Sequence, residues 1–117
     1  MSDRNQKVGK WGESAASEYL EKRDYNVVAR NIRTPYGEID IIAQKEGFTI
    51  FVEVKTRTSS SLGPPEISVT PRKQEHMLAA AEYYAQENEI DHWQIDVIAV
   101  EGKPGEHPRF THFENAI

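Results

Sequence analysis

Asp40, Glu53 and Lys55 are the residues whose types and spacing most plainly suit chemistry. Asp40 ends Gly37-Glu38-Ile39-Asp40, and the other two lie in Phe51-Val52-Glu53-Val54-Lys55. Strand side chains alternate between faces, so Glu53 and Lys55 share a face with Phe51. If the two segments are neighbouring strands, two carboxylates and an amine converge on one point. Collecting them in a half-buried place is unfavourable through desolvation. A hard cation such as magnesium offsets that penalty, because it takes one or two carboxylates and leaves positions for phosphate oxygens. The chemistry suggested is metal-assisted attack on a phosphodiester.

The tripeptide Glu53-Val54-Lys55 is a weak signal by itself. Glu101-Gly102-Lys103 repeats its form in an evident turn before Pro104 and Gly105. What sets the first apart is its place at the end of an apolar strand, with Asp40 on the adjoining hairpin strand. The plainer alternative is a cross-strand salt bridge from Asp40 or Glu53 to Lys55, worth little at a surface.

Glu13 strengthens the case for a site. It lies seven residues before Leu20, about 20° away around a helix, on the flank of a buried face where an acid needs a partner. That partner is a metal-linked cluster, or else Arg30, Arg33 or a backbone amide. Gln74 stands in line with Met77, Leu78 and Ala81, where an amide fixes a water or a phosphate or completes the helix end. Asp96 reads as a buried, structurally bonded aspartate, and Glu38, on Asp40's face, either assists it or is solvated near the turn. His76, His92, His107 and His112 show no metal-ligand spacing and read as surface residues.

The elements that must position these groups follow from periodicity. Residues 4–23 form an amphipathic helix, with Val8, Trp11, Ala15 and Tyr19 at three- and four-residue steps. Gly9 and Gly12 in its first half imply close packing or a close ligand. Strands are predicted at 25–33, 38–44 with Ile39 and Ile41 on one face, 49–55, 93–100 and 109–113, the last at an edge. Ile50-Phe51-Val52, apolar on both faces, marks a central strand. Residues 56–69 form a long loop marked by Ser59-Ser60-Ser61 and Pro64-Pro65. A second helix opens at Pro71 with Thr70 as its cap, runs to about Asn88, and buries Met77, Leu78, Ala81, Tyr84 and Ala85. The expectation is α/β, αβββαββ, in one domain over 1–117.

With 117 residues the chain suffices for one core. No apolar run reaches the ~20 residues that span a bilayer, and no secretory signal opens the chain. There is no cysteine, which excludes disulfides and thiolate zinc sites; a reducing cytoplasm is the expected compartment. The net charge of −5 opposes long-range attraction to a polyanion. Residues 82–117, however, hold eight acidic and two basic side chains, leaving 1–81 at +1. Arg57, Arg72 and Lys73, close to Lys55, form a local basic stretch able to hold a phosphate backbone with strong salt dependence.

In order, Gly9-Lys10-Trp11-Gly12-Glu13-Ser14-Ala15-Ala16, Asn31-Ile32-Arg33, Gly37 to Asp40, Phe51 to Arg57 and Val69 to Gln74 resemble the bacterial YraN family. That family is regarded as a branch of the PD-(D/E)xK nucleases, similar to archaeal Holliday-junction resolvases. The resemblance implies a restriction-endonuclease-like fold and a nuclease acting on DNA, branched or structured, with Mg2+ or Mn2+. It implies Asp40 and Glu53 as metal ligands with the Val54 carbonyl nearby, and Glu13 as a further ligand or outer group. Lys55 would serve the attacking water or the transition-state charge, and Gln74 matches the glutamine after the core. Gln94-Ile95-Asp96 departs from the arginine and aromatic more usual there, removing one basic group. A homodimer is expected by analogy with resolvases. The alternative is a non-catalytic module that binds nucleic acid or protein through residues 56–70 and Arg72-Lys73.

Overall fold

A computed structural model describes residues 3–58 and 70–117. The elements are α1 (Asp3–Glu21), β1 (Asn26–Thr34), β2 (Gly37–Lys45), β3 (Phe48–Arg57), α2 (Pro71–Glu87), β4 (Trp93–Glu101) and β5 (Arg109–Phe113). They form one sheet in the order β1-β2-β3-β4-β5. Only β3 and β4 run parallel, and α2 makes the crossover such a pair requires. A mixed five-stranded sheet flanked by two helices is the α/β architecture expected, compatible with a restriction-endonuclease-like fold. Among the described residues no helix is long and apolar enough to cross a membrane. Ser59-Ser60-Ser61 and Pro64-Pro65 lie outside the described residues.

Two apolar layers enclose the sheet. Ala16 and Leu20 of α1 pack on Ile41, Ala43, Ile50, Val52, Ile98 and Val100. Ala80, Ala81 and Ala85 of α2 pack on Ile39, Ile42, Phe51 and Ile95. β3 lies at the centre of the sheet, which explains why Ile50-Phe51-Val52 is apolar on both faces. Thr70 caps α2 by accepting the Lys73 backbone N–H at 3.2 Å, with Pro71 in the first turn where its missing N–H is harmless.

Three expectations are corrected. Leu78 is 36% exposed, because α2 meets the sheet through its alanine row, Ala80 included, which brings helix and sheet close. Ile39 and Ile41 face opposite layers, because β2 loses its regular alternation at Asp40. Glu101 is buried and ends β4 instead of lying in the following turn. The poor alternation around Val28 has its own cause: the β1–β2 register shifts between Val27 and Ala29, and Val28 is exposed.

Gly12 is close-packed, whereas Gly9 has open space around it. A Cβ on Gly12 would overlap Thr56 Oγ1 and come within 3.1 Å of that residue's Cβ and Cγ2. Gly12→Ala is therefore expected to lower stability by about 1–3 kcal/mol through overpacking. Thr56→Ala in the same chain should recover most of it. Urea denaturation of the two variants checks this, and an unchanged midpoint in Gly12→Ala would refute the close approach.

Candidate active site

The site begins where β2 leaves β3. The β2–β3 pairing runs only from Ile41↔Val52 to Lys45↔Phe48, whereas β3 continues beside β4 as far as Arg57↔Glu101. The last half of β3 thus has a strand on one side and, on the other, backbone groups that need partners. Asp40 supplies one, its Oδ2 accepting the Val54 N–H at 2.8 Å. The carboxylate stands where a strand carbonyl would otherwise be.

Glu13 from α1 and Glu38 from β2 approach it. Oxygens of Glu13, Glu38 and Asp40 all lie within 4.8 Å of one another. Burial first, then the neighbouring Glu53 carboxylate, push the Asp40 carboxyl up to about 7, against the pull of the Val54 N–H. Burial also raises Glu13, although the Arg30 guanidinium opposes it. Arg30 Nη2 is 3.9 Å from Glu13 Oε1 and donates to Ser14 Oγ at 3.1 Å.

Asn31 completes this side. It lies between the Arg30↔Ile41 and Ile32↔Ile39 pairs of β1 and β2, and its φ of 53° lies in the left-handed region that asparagine tolerates better than most residues. With its amide oriented by its partners, the nitrogen donates to Glu13 Oε1 at 2.8 Å and Glu38 Oε1 at 3.2 Å.

Glu53 stands outside the group of three. Its side chain is 14% exposed, and its Oε1 lies 3.2 Å from the Lys73 ammonium on the first turn of α2. Lys55 is half-buried on the same face of β3, and Gln74 is half-buried beside Lys73 on α2. Arg72 is exposed. Arg57 Nη2 donates to Glu101 Oε2 at 2.9 Å, so the second Glu-x-Lys tripeptide contributes its glutamate to holding the end of β3.

Asp96 is fully buried and belongs to a different cluster. Its Oδ1 accepts from Gln94 Nε2 and the Asn115 backbone N–H, both at 2.9 Å. Its Oδ2 lies 2.7 Å from His112 Nε2, and His112 Nδ1 lies 3.3 Å from the Tyr19 hydroxyl. One neutral tautomer satisfies both contacts, Nε2–H donating to Asp96 and Nδ1 accepting from Tyr19. His112 is thereby corrected from a surface residue to one whose side chain is 10% exposed. Burial and the carboxylates of Glu114 and Asp96 push the neighbouring Tyr25 phenol up to about 12. These residues tie β5 and the C-terminal turn to the core.

The sequence leaves Glu38 between assisting Asp40 and being solvated, and gives Asn31 no chemistry. The signal for Glu38 was its two-residue spacing from Asp40. Nothing local indicated that Asn31 would bridge two carboxylates.

Comparison with known proteins agrees with the resemblance noted from the motifs. The profile of Uncharacterised protein family UPF0102 matches residues 12–100, which include Glu13, Asn31, Glu38, Asp40, Glu53, Lys55, Lys73 and Gln74. A UPF0102 protein of Dehalococcoides mccartyi is 38% identical over all of this chain and 98% of its own. One from Syntrophotalea carbinolica is 43% identical over 94% of this chain and 90% of its own. One from Geobacter metallireducens is 42% identical over all of this chain and 97% of its own. With one profile covering most of the chain and such relatives matching along its whole length, the chain belongs to the UPF0102 family, the YraN family.

Proposed function

We propose that this protein is a divalent-metal-dependent nuclease that hydrolyses phosphodiester bonds in DNA, with branched or otherwise structured DNA as the substrate class. The observation that carries the reading is the convergence of Glu13, Glu38 and Asp40 within 4.8 Å at the point where β2 leaves β3. The residues fit a hard cation. Their donors are all oxygens, the ligand type that a hard cation takes. Burial first, and then the neighbouring Glu53 carboxylate, push the Asp40 carboxyl up to about 7, and a bound cation would offset that repulsion.

Asp40, with Glu13 and Glu38 close by, would hold Mg2+ or Mn2+, and the family resemblance adds Glu53 as a second ligand with the Val54 carbonyl nearby. Such an ion polarises a scissile phosphate and lowers the pKa of bound water. Lys55, on the face of β3 that carries Glu53, orients the attacking water or takes its proton, or steadies charge on the phosphate oxygens. Gln74 and Lys73, at the start of α2, would contact a phosphate, with Arg72 beside them. The positive end of the helix adds to that attraction.

The test is cleavage of junctions, flaps, nicked duplex and single strands with Mg2+ or Mn2+. Cleavage is expected with at least one substrate, and it should disappear in Glu53→Ala and Lys55→Ala proteins that melt as folded domains. Folded wild-type protein that cuts nothing in either metal would refute the catalytic reading. Metal and DNA binding without cleavage would point to the non-catalytic module.

A further inference from the structure

The site contains a cation of its own. Lys73 extends from the first turn of α2 to Glu53, bringing its ammonium to 3.2 Å from Oε1. Glu53 is the more buried partner at 14% exposure, and Lys73 is half in solvent at 50%. This is an asymmetric pair: the carboxylate is fixed on the central strand, and the ammonium sits on a flexible stem with water on its other side.

We propose that Lys73 is an exchangeable counterion of the site, paired with Glu53 in the metal-free protein and released to a substrate phosphate when a divalent cation takes that carboxylate. The inference rests on the metal-dependent reading of the same site and adds a regulatory contact to it.

Three observations support it. First, the carboxylates are not equally supplied with positive charge. Arg30 lies beside Glu13 and Lys73 beside Glu53, whereas the contact that Asp40 shows among the described residues is the neutral Val54 backbone N–H. A lysine on Glu53 therefore limits the charge surplus without removing it, leaving an incoming dication a net gain. Second, an ion pair with one partner half-exposed is weak, so it yields easily. Third, Lys73 lies three residues after the Thr70 cap, in the first turn at the positive end of α2, where an anion is favoured. Rotation about its stem would carry the ammonium from Glu53 to a phosphate at the helix start. Metal-free protein keeps the lysine on the carboxylate; metal and DNA together separate the two.

The two halves of the exchange give opposite signs in one variant. In Lys73→Met, Mn2+ titrated by calorimetry at pH 8 without DNA should bind about two- to fivefold more tightly, because a competing cation is gone. Binding of a four-way junction in calcium should weaken, and its salt slope should fall by about one phosphate contact. Lys22→Met, which removes an exposed lysine paired to Glu18 on α1, should leave Mn2+ affinity unchanged.

Unchanged or weaker Mn2+ binding in Lys73→Met would overturn the proposal, since the lysine would then be irrelevant to Glu53 or needed to order it. An unchanged salt slope would overturn the phosphate half. Wild-type protein that binds no Mn2+ would overturn the site reading and this inference together. Failure of the exchange alone shows instead as normal wild-type binding that Lys73→Met does not improve.

Discussion

In metal-free buffer at pH 8, Asp40→Asn is expected to be more stable than the unaltered protein and to lose its stabilisation by manganese. The Asp40 carboxyl sits near 7 in the folded chain, against 3.8 ordinarily, raised by burial and then by Glu53. Between those values the folded chain holds more protons than the unfolded chain, so stability falls as pH rises. What the protonated group contributes is complete below about 4 and is lost as pH passes through about 7. Asparagine stays neutral, and its Oδ1 can still accept the Val54 N–H. The gain should be about 1–3 kcal/mol at pH 8 and vanish near pH 4.

With the ion the order reverses. Manganese must find Asp40 deprotonated, so wild-type affinity should rise by up to about tenfold per pH unit below 7 and flatten above it. Thermal melts with and without Mn2+ at pH 5, 6, 7 and 8 would reveal both trends. A less stable Asp40→Asn at pH 8, or equal Mn2+ stabilisation of both proteins, would contradict the account.

Asp96→Ala is expected to cost about 3–5 kcal/mol, enough to unfold much of the population near physiological temperature. The side chain is fully buried, and its loss strands three donors: His112 Nε2, Gln94 Nε2 and the Asn115 N–H. His112 would also lose the acceptor that orients its ring toward Tyr19. Asp96→Asn should be milder, since one oxygen remains to accept. Urea denaturation measures the loss, and a change below about 1 kcal/mol would show the network to be dispensable. Cleavage per folded molecule should be unaffected, which separates this aspartate from Asp40.

The elements were readable because their signals are local. Alternation, the Thr70-Pro71 helix start and the Pro and Gly turns placed seven elements in order, with boundaries within a few residues. Asp40 and Glu53 were readable as candidates because hairpin strands bring such residues together. The missed features depend on tertiary arrangement. Ile39 and Ile41 part because β2 diverges from β3 just there, a splay that no local pattern encodes. His112 finds Asp96 from a neighbouring strand sixteen residues away. Lys73 meets Glu53 because of where α2 docks on the sheet through Ala80, Ala81 and Ala85.

The most direct test of the central claim is a crystal structure of the protein soaked in manganese, with anomalous scattering locating the ion. The expected result is an anomalous peak within about 2.0–2.3 Å of oxygens from Asp40 and Glu53, with Glu13 beside it and the Lys73 ammonium withdrawn from Glu53. No peak at saturating manganese, or one bound elsewhere with the Lys73–Glu53 pair intact, would contradict the account.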